Sequence, residues 1–176
     1  FSIKKLMKSK GNIVFLGMMG SGKTSVGKLF SKKYKLKFYD TDQLIENEQG
    51  MKISKIFTIK GEIFFRNLEE RIALNILKKK NIVVSLGGGS FLNKKIKKEV
   101  LDNHTSFWLN WDSSVIIDRI KNSSKRPIAY KLNLNELSEL IKKRSNIYAK
   151  ALYKIDCDDL SKKDVIKKII NIYETN

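Results

Sequence analysis

The sequence predicts an α/β fold of three layers, in which a five-stranded parallel sheet lies between helices. Short apolar runs rich in β-branched residues alternate along the chain with amphipathic stretches, and polar residues or glycines separate them. This alternation is typical of a parallel sheet that helices cover on both faces. The 176 residues contain no internal repeat or linker, so we expect one domain over residues 1–176.

The apolar runs give the strands, and the stretches between them give the helices. A stripe of Phe65, Leu68, Ile72 and Ile76, at spacings of three and four, indicates the longest helix. The predicted strands are 12–17, 37–40, 82–86, 105–109 and 153–157. The predicted helices are 23–34, 42–48, 62–79, 94–102, 113–121 and 134–149, with a last one striped by Val165, Ile166, Ile169, Ile170 and Tyr173.

The polar stretch 122–133 holds the only proline, Pro127, and is predicted to be a loop. We expect it to act as a mobile lid over a site at the carboxyl ends of the strands. Parallel α/β sheets bind their ligands at that edge.

The formal net charge of +18 raises the possibility of a nucleic-acid partner. The basic residues are spread along the chain instead of forming one block, and nearly all are lysine, so we expect no nucleic-acid partner. Because lysine is so abundant, each arginine is a candidate site residue where a planar fork must grip an anion. The arginines are Arg66, Arg71, Arg119, Arg126 and Arg144. Arg71 is predicted to be an ordinary surface residue.

Cysteine content and hydropathy bear on the cellular setting. One cysteine, Cys157, provides neither a disulfide framework nor a metal cluster. No apolar run approaches the ~20 residues of a membrane span, and no signal-peptide pattern follows the basic first residues. We therefore expect a cytoplasmic protein with no membrane partner. We also expect it to be a monomer.

Residues 17–24 read Gly-Met-Met-Gly-Ser-Gly-Lys-Thr, between a predicted strand and a predicted helix. This is the P-loop pattern, whose backbone N–H groups surround the phosphates of a nucleotide. Lys23 is expected to reach the β- and γ-phosphates, and the Thr24 hydroxyl to ligate Mg²⁺. The predicted ATP-binding residues here are Gly20, Ser21, Gly22, Lys23, Thr24 and Ser25. The short chain, without an Asn-Lys-x-Asp run, favours a small-molecule kinase with a P-loop NTPase fold.

Asp40 and Asp42 flank Thr41 at the end of the second predicted strand. In an extended segment these two carboxylates would project to the same side. One could then hold a metal ion while the other orients or deprotonates an attacking hydroxyl. A helix N-cap followed by a turn is the alternative structural interpretation.

Further motifs follow in order: Gly-Glu-Ile-Phe-Phe-Arg-Asn-Leu-Glu at 61–69, three glycines at 87–89, Arg126-Pro127, and Arg-Ser-Asn-Ile-Tyr at 144–148. Together with the P-loop and Asp40-Thr41-Asp42, this set resembles the shikimate kinase family, from about residue 12 to residue 164. The resemblance implies ATP-dependent, Mg²⁺-assisted phosphorylation of the 3-hydroxyl of shikimate, a step of aromatic amino acid biosynthesis.

The resemblance also implies a role for individual residues. Lys23, Asp42 and Arg126 would be catalytic, with Asp42 as the base and Arg126 closing in on the lid. Asp40 would join Thr24 at Mg²⁺, and Arg119 and Arg126 would contact ATP. Glu69 would orient Arg66. The acceptor would be bound by Asp42, Phe57, Phe65, Arg66, Gly87, Gly88, Gly89 and Arg144.

Other functions remain possible from the sequence: a gluconate kinase-like enzyme, a nucleotide-dependent nucleic-acid-binding protein, or an inactive P-loop module. Three expectations concern single residues. His104 is predicted to be a solvated turn residue, and Trp108 and Trp111 to be packing residues. The loop 156–160, expected beside adenine, lacks the basic residue that some family members have there.

Overall fold

The fold is seen in a computed structural model that describes residues 11–122 and 132–176. Most of the predicted lid, and with it Arg126, lies outside the described residues. The prediction of a mobile lid therefore stays a prediction.

The described residues form a five-stranded sheet in which every paired neighbour is parallel, in the order β2-β3-β1-β4-β5. Ile13 of the central strand is in register with Val83 on one side and Thr105 on the other. The predicted parallel sheet is confirmed. The strands are β1 Ile13–Leu16, β2 Lys37–Asp40, β3 Ile82–Ser85, β4 Thr105–Asn110 and β5 Tyr153–Asp156.

Helices connect the strands and cover both faces of the sheet. Several begin at a side chain that accepts hydrogen bonds from the free N–H groups of the first turn, as Asn93, Asp112 and Ser161 do. The helices are α1 Lys23–Tyr34, α2 Thr41–Gln49, α3 Ile53–Leu77, α4 Lys94–Asn103, α5 Ser113–Lys121, α6 Leu134–Tyr148 and α7 Lys162–Thr175. A short 3-10 helix spans Ser90–Leu92.

Helix α3 begins at Ile53, nine residues before the predicted start at 62, and this part of the prediction was wrong. Gly61 interrupts the helix with φ 82° and ψ 169°, which produces a kink. The residues before the kink therefore do not continue the apolar stripe from which the second half of the helix was predicted. The first turn has no cap of its own, because the Lys52 side chain makes no capping bond. Instead Glu46 of α2 accepts a hydrogen bond from the Ile53 N–H at 3.1 Å.

Two apolar cores lie on opposite faces of the sheet. Val14 and Leu16 point into the core beneath α3 to α6, whereas Ile13 and Phe15 point into the core beneath α1 and α7. This alternation along a fully buried strand produces the three predicted layers. A smaller cluster, which includes Ile45 and Ile56, packs α2 against the first half of α3.

His104 departs from its prediction as a solvated residue. Only 7% of it is exposed, and its Nδ1 accepts a hydrogen bond from the Asn12 N–H at 3.0 Å. Its Nε2 lies 3.3 Å from Glu99. The imidazole therefore belongs to the packing between the end of α4 and the start of β1.

Among the described residues, none of the helices has the length and apolar character that crossing a membrane requires.

Candidate functional site

The P-loop follows β1 and ends where α1 begins. Gly22 occupies the N-cap position with φ 89°, a left-handed conformation that side chains disfavour. The loop is closed by a hydrogen bond from the Ser21 N–H to the Met18 carbonyl at 3.1 Å. The start of α1 thus presents free N–H groups and the positive end of the helix dipole at this turn, as phosphate binding requires.

Lys23 lies across this loop. Its Nζ donates to the carbonyls of Gly17 at 2.8 Å and Met18 at 2.9 Å, and the residue is 8% exposed. A fixed ammonium beside the N–H groups gives the turn a localised positive charge. This geometry suits the binding of a polyphosphate.

Asp40 serves two elements at once. One carboxylate oxygen caps α2 by accepting from the N–H groups of Asp42 and Gln43 at 3.0 and 3.3 Å. The other accepts from the Thr24 hydroxyl at 2.5 Å. The N-cap interpretation was therefore right, and the projection of both carboxylates from one extended segment was wrong, because Asp42 lies in the first turn of α2. The structure nevertheless brings Asp40 to the P-loop.

Asp42 faces the same edge of the sheet from α2. Burial and the neighbouring Asp40 carboxylate raise its pKa to about 7, with smaller contributions from Glu69 and Glu46, while Lys23 acts in the opposite direction. Both effects disfavour a second negative charge at this place. A carboxylate with a pKa near 7 is well matched to general-base catalysis at neutral pH.

The glycines 87–89 follow β3, and each lies against a different charged side chain. A Cβ atom added to Gly87 would collide with the carboxylate of Asp42. One added to Gly88 would lie 3.5 Å from Arg144 Nη1, and one added to Gly89 would lie 2.5 Å from Arg66 Nη1. Three predicted acceptor residues therefore converge on this turn, which has no room for side chains of its own.

Arg66 is held by acidic residues of its own helix. Its Nη1 donates to Glu69 at 2.8 Å, and its Nε to the exposed Glu62 at 3.4 Å. Its guanidinium also lies near the rings of Phe57 and Phe65, at 5.9 and 5.2 Å from their centroids. The predicted orienting contact from Glu69 is present, and the two predicted aromatic residues flank the arginine.

Arg144 comes from α6 and is only 8% exposed. Its Nη1 lies 4.0 Å from the sulfur of Met18 in the P-loop, and its Nε has no hydrogen-bond partner among the described residues. In residues 11–122 and 132–176 no carboxylate forms an ion pair with it. A buried guanidinium without a counter-ion is costly unless an anion binds there.

Tyr148, one turn beyond Arg144, is a site residue to which the sequence assigned no role. Its hydroxyl donates to the Gly88 carbonyl and lies 3.9 Å from the sulfur of Met18. Burial raises its pKa to about 12, so it remains a hydrogen-bond donor. The sequence could have indicated this residue, because Tyr148 lies four residues after Arg144 and therefore on the same face of the helix.

A cavity of about 260 Å³ opens on the other side of the P-loop. Arg119, predicted to contact ATP, lines it and donates to the Gly20 carbonyl at 3.0 Å. Trp111 also lines it, and so does Lys162, a basic residue two positions beyond loop 156–160. Both tryptophans pack as predicted: Trp108 is 6% exposed and lies in the core, and Trp111 packs against both apolar cores besides lining the cavity.

The sheet order, the P-loop at the end of the central strand and the arginines across from it define a P-loop phosphotransferase of the α/β class. The family model for shikimate kinase matches residues 19–174. The chain belongs to the shikimate kinase family. It is thus an ATP-dependent kinase that acts on an alcohol.

Individual relatives agree with this assignment. The chain is 40% identical to a shikimate kinase of Persephonella marina over 159 residues, which cover 90% of this chain and 96% of the relative. The crystal structure of shikimate kinase from Aquifex aeolicus matches with a TM-score of 0.84 at 33% identity, covering 94% and 97% of the two chains. A shikimate kinase from Acinetobacter baumannii in complex with shikimate matches with a TM-score of 0.86 at 25% identity, covering 98% and 97%.

A gluconokinase from Sinorhizobium meliloti has a TM-score of 0.53 at 16% identity, covering 94% of this chain and 95% of that one. At that identity the likeness concerns the fold alone.

Proposed function

We propose that this enzyme transfers the γ-phosphoryl group of ATP to the 3-hydroxyl of shikimate, giving shikimate 3-phosphate and ADP. The observation that carries the proposal is Arg144, a buried guanidinium without a carboxylate partner among the described residues, beside the glycine turn 87–89. A small acceptor with a carboxylate would supply the missing anion. A planar arginine fork binds a carboxylate through two parallel hydrogen bonds.

Arg66, which lies against Gly89 of the same turn, is the second anion-binding group. Glu69 and Glu62 fix its direction, and Phe57 and Phe65 provide an apolar surface for a carbon ring. Glycines at 87–89 let the backbone approach the acceptor closely, because they carry no side chain. The Cβ positions that a side chain would use lie against Asp42, Arg144 and Arg66. Two arginines and a ring-sized apolar wall favour a cyclic carboxylate over an open-chain sugar acid.

Asp42 has the position and the basicity for the acceptor hydroxyl. Its raised pKa lets it accept the hydroxyl proton as the oxygen attacks the phosphoryl group. Lys23 stabilises the negative charge on the phosphoryl oxygens during transfer. Arg126 is proposed to add a further positive charge from the lid, although it lies outside the described residues.

Mg²⁺ fits the oxygen donors at the P-loop. Thr24 and Asp40 lie within hydrogen-bonding distance of each other, so one hydroxyl and one carboxylate are available as hard oxygen ligands. Mg²⁺ is usually held by one or two protein oxygens, substrate phosphates and water. When bound, it would neutralise charge on the phosphates of ATP.

The cellular setting is proposed from composition. We propose a cytoplasmic enzyme that acts as a monomer on small molecules, without a nucleic-acid or membrane partner. If the affinity for ATP does not change when DNA or RNA is added, this would support the absence of a nucleic-acid partner.

The proposal is tested by ADP release with purified enzyme, Mg²⁺ and ATP, and with shikimate, gluconate or no acceptor. We expect rapid ADP release with shikimate and only background rates in the other two arms. Equal or faster turnover with gluconate would reject the acceptor assignment. ADP release that is independent of any acceptor would instead identify an ATPase.

A further inference from the structure

Two successive carbonyl groups of the P-loop are bonded by side chains from the segment that follows β4. Arg119 Nη1 donates to the Gly20 carbonyl at 3.0 Å, and Trp111 Nε1 donates to the Ser21 carbonyl at 2.9 Å. The two side chains also stack, with the guanidinium carbon 3.9 Å from the centroid of the Trp111 ring. Such stacking of arginine on tryptophan is favourable in itself.

The bond to Ser21 bears on phosphate binding through peptide geometry. The Ser21 carbonyl and the Gly22 N–H belong to one planar peptide group, and in a trans peptide they point in opposite directions. Anchoring the carbonyl on the side of Trp111 therefore turns the Gly22 N–H toward the opposite side. Gly22 has φ 89°, and a side chain added at its Cα would meet nothing within 4 Å. Its own carbonyl, which belongs to the next peptide, accepts from the Val26 N–H at 2.9 Å.

We propose that Trp111 is a positioning residue of the nucleotide site: its indole N–H orients the Ser21–Gly22 peptide toward the phosphates, and its ring, with Arg119, walls the cavity for the base. The ligand class is a purine nucleotide carrying at least two phosphates. The inference rests on the proposed function only in taking the P-loop cavity as the nucleotide site.

The two parts of this role can be separated by substitution. Trp111→Phe keeps an aromatic ring beneath Arg119 but loses the N–H donor. We expect it to weaken the binding of ADP and of tripolyphosphate by about three- to tenfold, the range for one hydrogen bond. Adenosine, which carries no phosphate, should bind to this variant within about twofold of its affinity for the wild type, because the wall of the cavity is retained.

The chain offers a matched control in Trp108, the other of its two tryptophans. Trp108→Phe makes the same substitution three residues earlier on β4, in the core. We expect its affinity for ADP to equal that of the wild type. This control also leaves Trp111 as the sole tryptophan, so its emission reports directly on the cavity and should change upon addition of ADP.

Calorimetric affinities for ADP, tripolyphosphate, adenosine and shikimate, together with melting curves, decide the proposal. Wild-type affinity of Trp111→Phe for ADP would overturn it, and so would an equal loss for all four ligands, which indicates general loosening. If Trp111→Phe failed to fold, the emission of Trp108→Phe would decide, and no response to ADP would overturn the assignment. Since ADP binding needs no acceptor, each result is independent of whether shikimate is the substrate.

Discussion

Glu69 connects Arg66 to the turn that follows β3. One oxygen of Glu69 accepts from Arg66 Nη1 at 2.8 Å, and the other accepts from the Ser90 hydroxyl at 2.8 Å. Glu69 is 3% exposed, so both bonds are made away from water. The carboxylate fixes the distance between the arginine and the turn, and thereby the width of the proposed acceptor site.

We expect Glu69→Gln to raise the KM for shikimate by roughly tenfold. The amide has a single oxygen and a donor group, so it cannot accept from both Arg66 and Ser90, and charge-assisted bonds are worth about 1.5–3 kcal/mol. Initial rates at varied shikimate and saturating ATP measure the change. The matched control is Glu62→Gln, which alters the exposed partner of the same arginine. Equal effects of the two substitutions would show that Glu69 has no special orienting role.

Lys23→Ala should lower turnover by at least 10²–10³-fold, because the ammonium stabilises charge that develops on the phosphates. Its exposed neighbour on α1, Lys28, is the control, and Lys28→Ala should retain wild-type rates. Turnover is measured at saturating ATP and shikimate. Wild-type turnover of Lys23→Ala would remove the basis for the P-loop mechanism.

Asp42→Asn keeps the shape of the side chain but removes the base. We expect turnover at saturating shikimate to fall roughly 10²–10⁴-fold. In the wild type, kcat/KM should rise with pH and level off above about 7, the pKa of Asp42 in the folded protein. This rise should be missing from the residual activity of the variant. Unchanged kcat in Asp42→Asn would make Asp42 a binding residue only.

The same substitution should affect stability in a pH-dependent manner. The pKa of Asp42 is raised from 3.8 to about 7 on folding, so between these values the folded state holds a proton that the unfolded state releases. The free energy of unfolding therefore falls as pH rises through this window. Removing the charge should raise the Tm of Asp42→Asn above that of the wild type at pH 8, with the difference vanishing toward pH 4. Thermal melts at the two values test this, and a gap that is larger at pH 4 would contradict it.

Arg144→Lys keeps the charge but loses the planar fork. We expect the KM for shikimate to rise roughly ten- to a hundredfold, since hydrogen bonds to charged groups are worth about 1.5–3 kcal/mol, while the KM for ATP changes little. Lys143→Ala, an exposed neighbour on α6, should leave both constants unchanged. If the two constants of Arg144→Lys rise together, or neither does, Arg144 does not bind the acceptor.

Much of the fold could be predicted because its signals are local. The strands and the beginnings of α1 and α5 lie where the alternation of apolar runs and amphipathic stretches placed them, to within one or two residues, since this pattern depends on neighbours a few residues away. The start of α3 could not be predicted, because its capping partner, Glu46, belongs to another helix. The buried position of His104 was missed for the same reason, as its partner Asn12 immediately precedes β1, far away in the sequence.

The sequence by itself determined the P-loop, the parallel sheet and the kinds of residue available for an anionic acceptor. Motifs and hydrophobic periodicity, from which these were predicted, are local features of the chain. Only the tertiary structure decided which of them meet. The placement of Asp42, Arg144 and Arg66 against three successive glycines follows from the order of the strands and the packing of α2, α3 and α6. The contact of Trp111 with the P-loop has the same origin. Contacts between distant parts of a chain depend on how whole elements pack, and no local pattern records that packing.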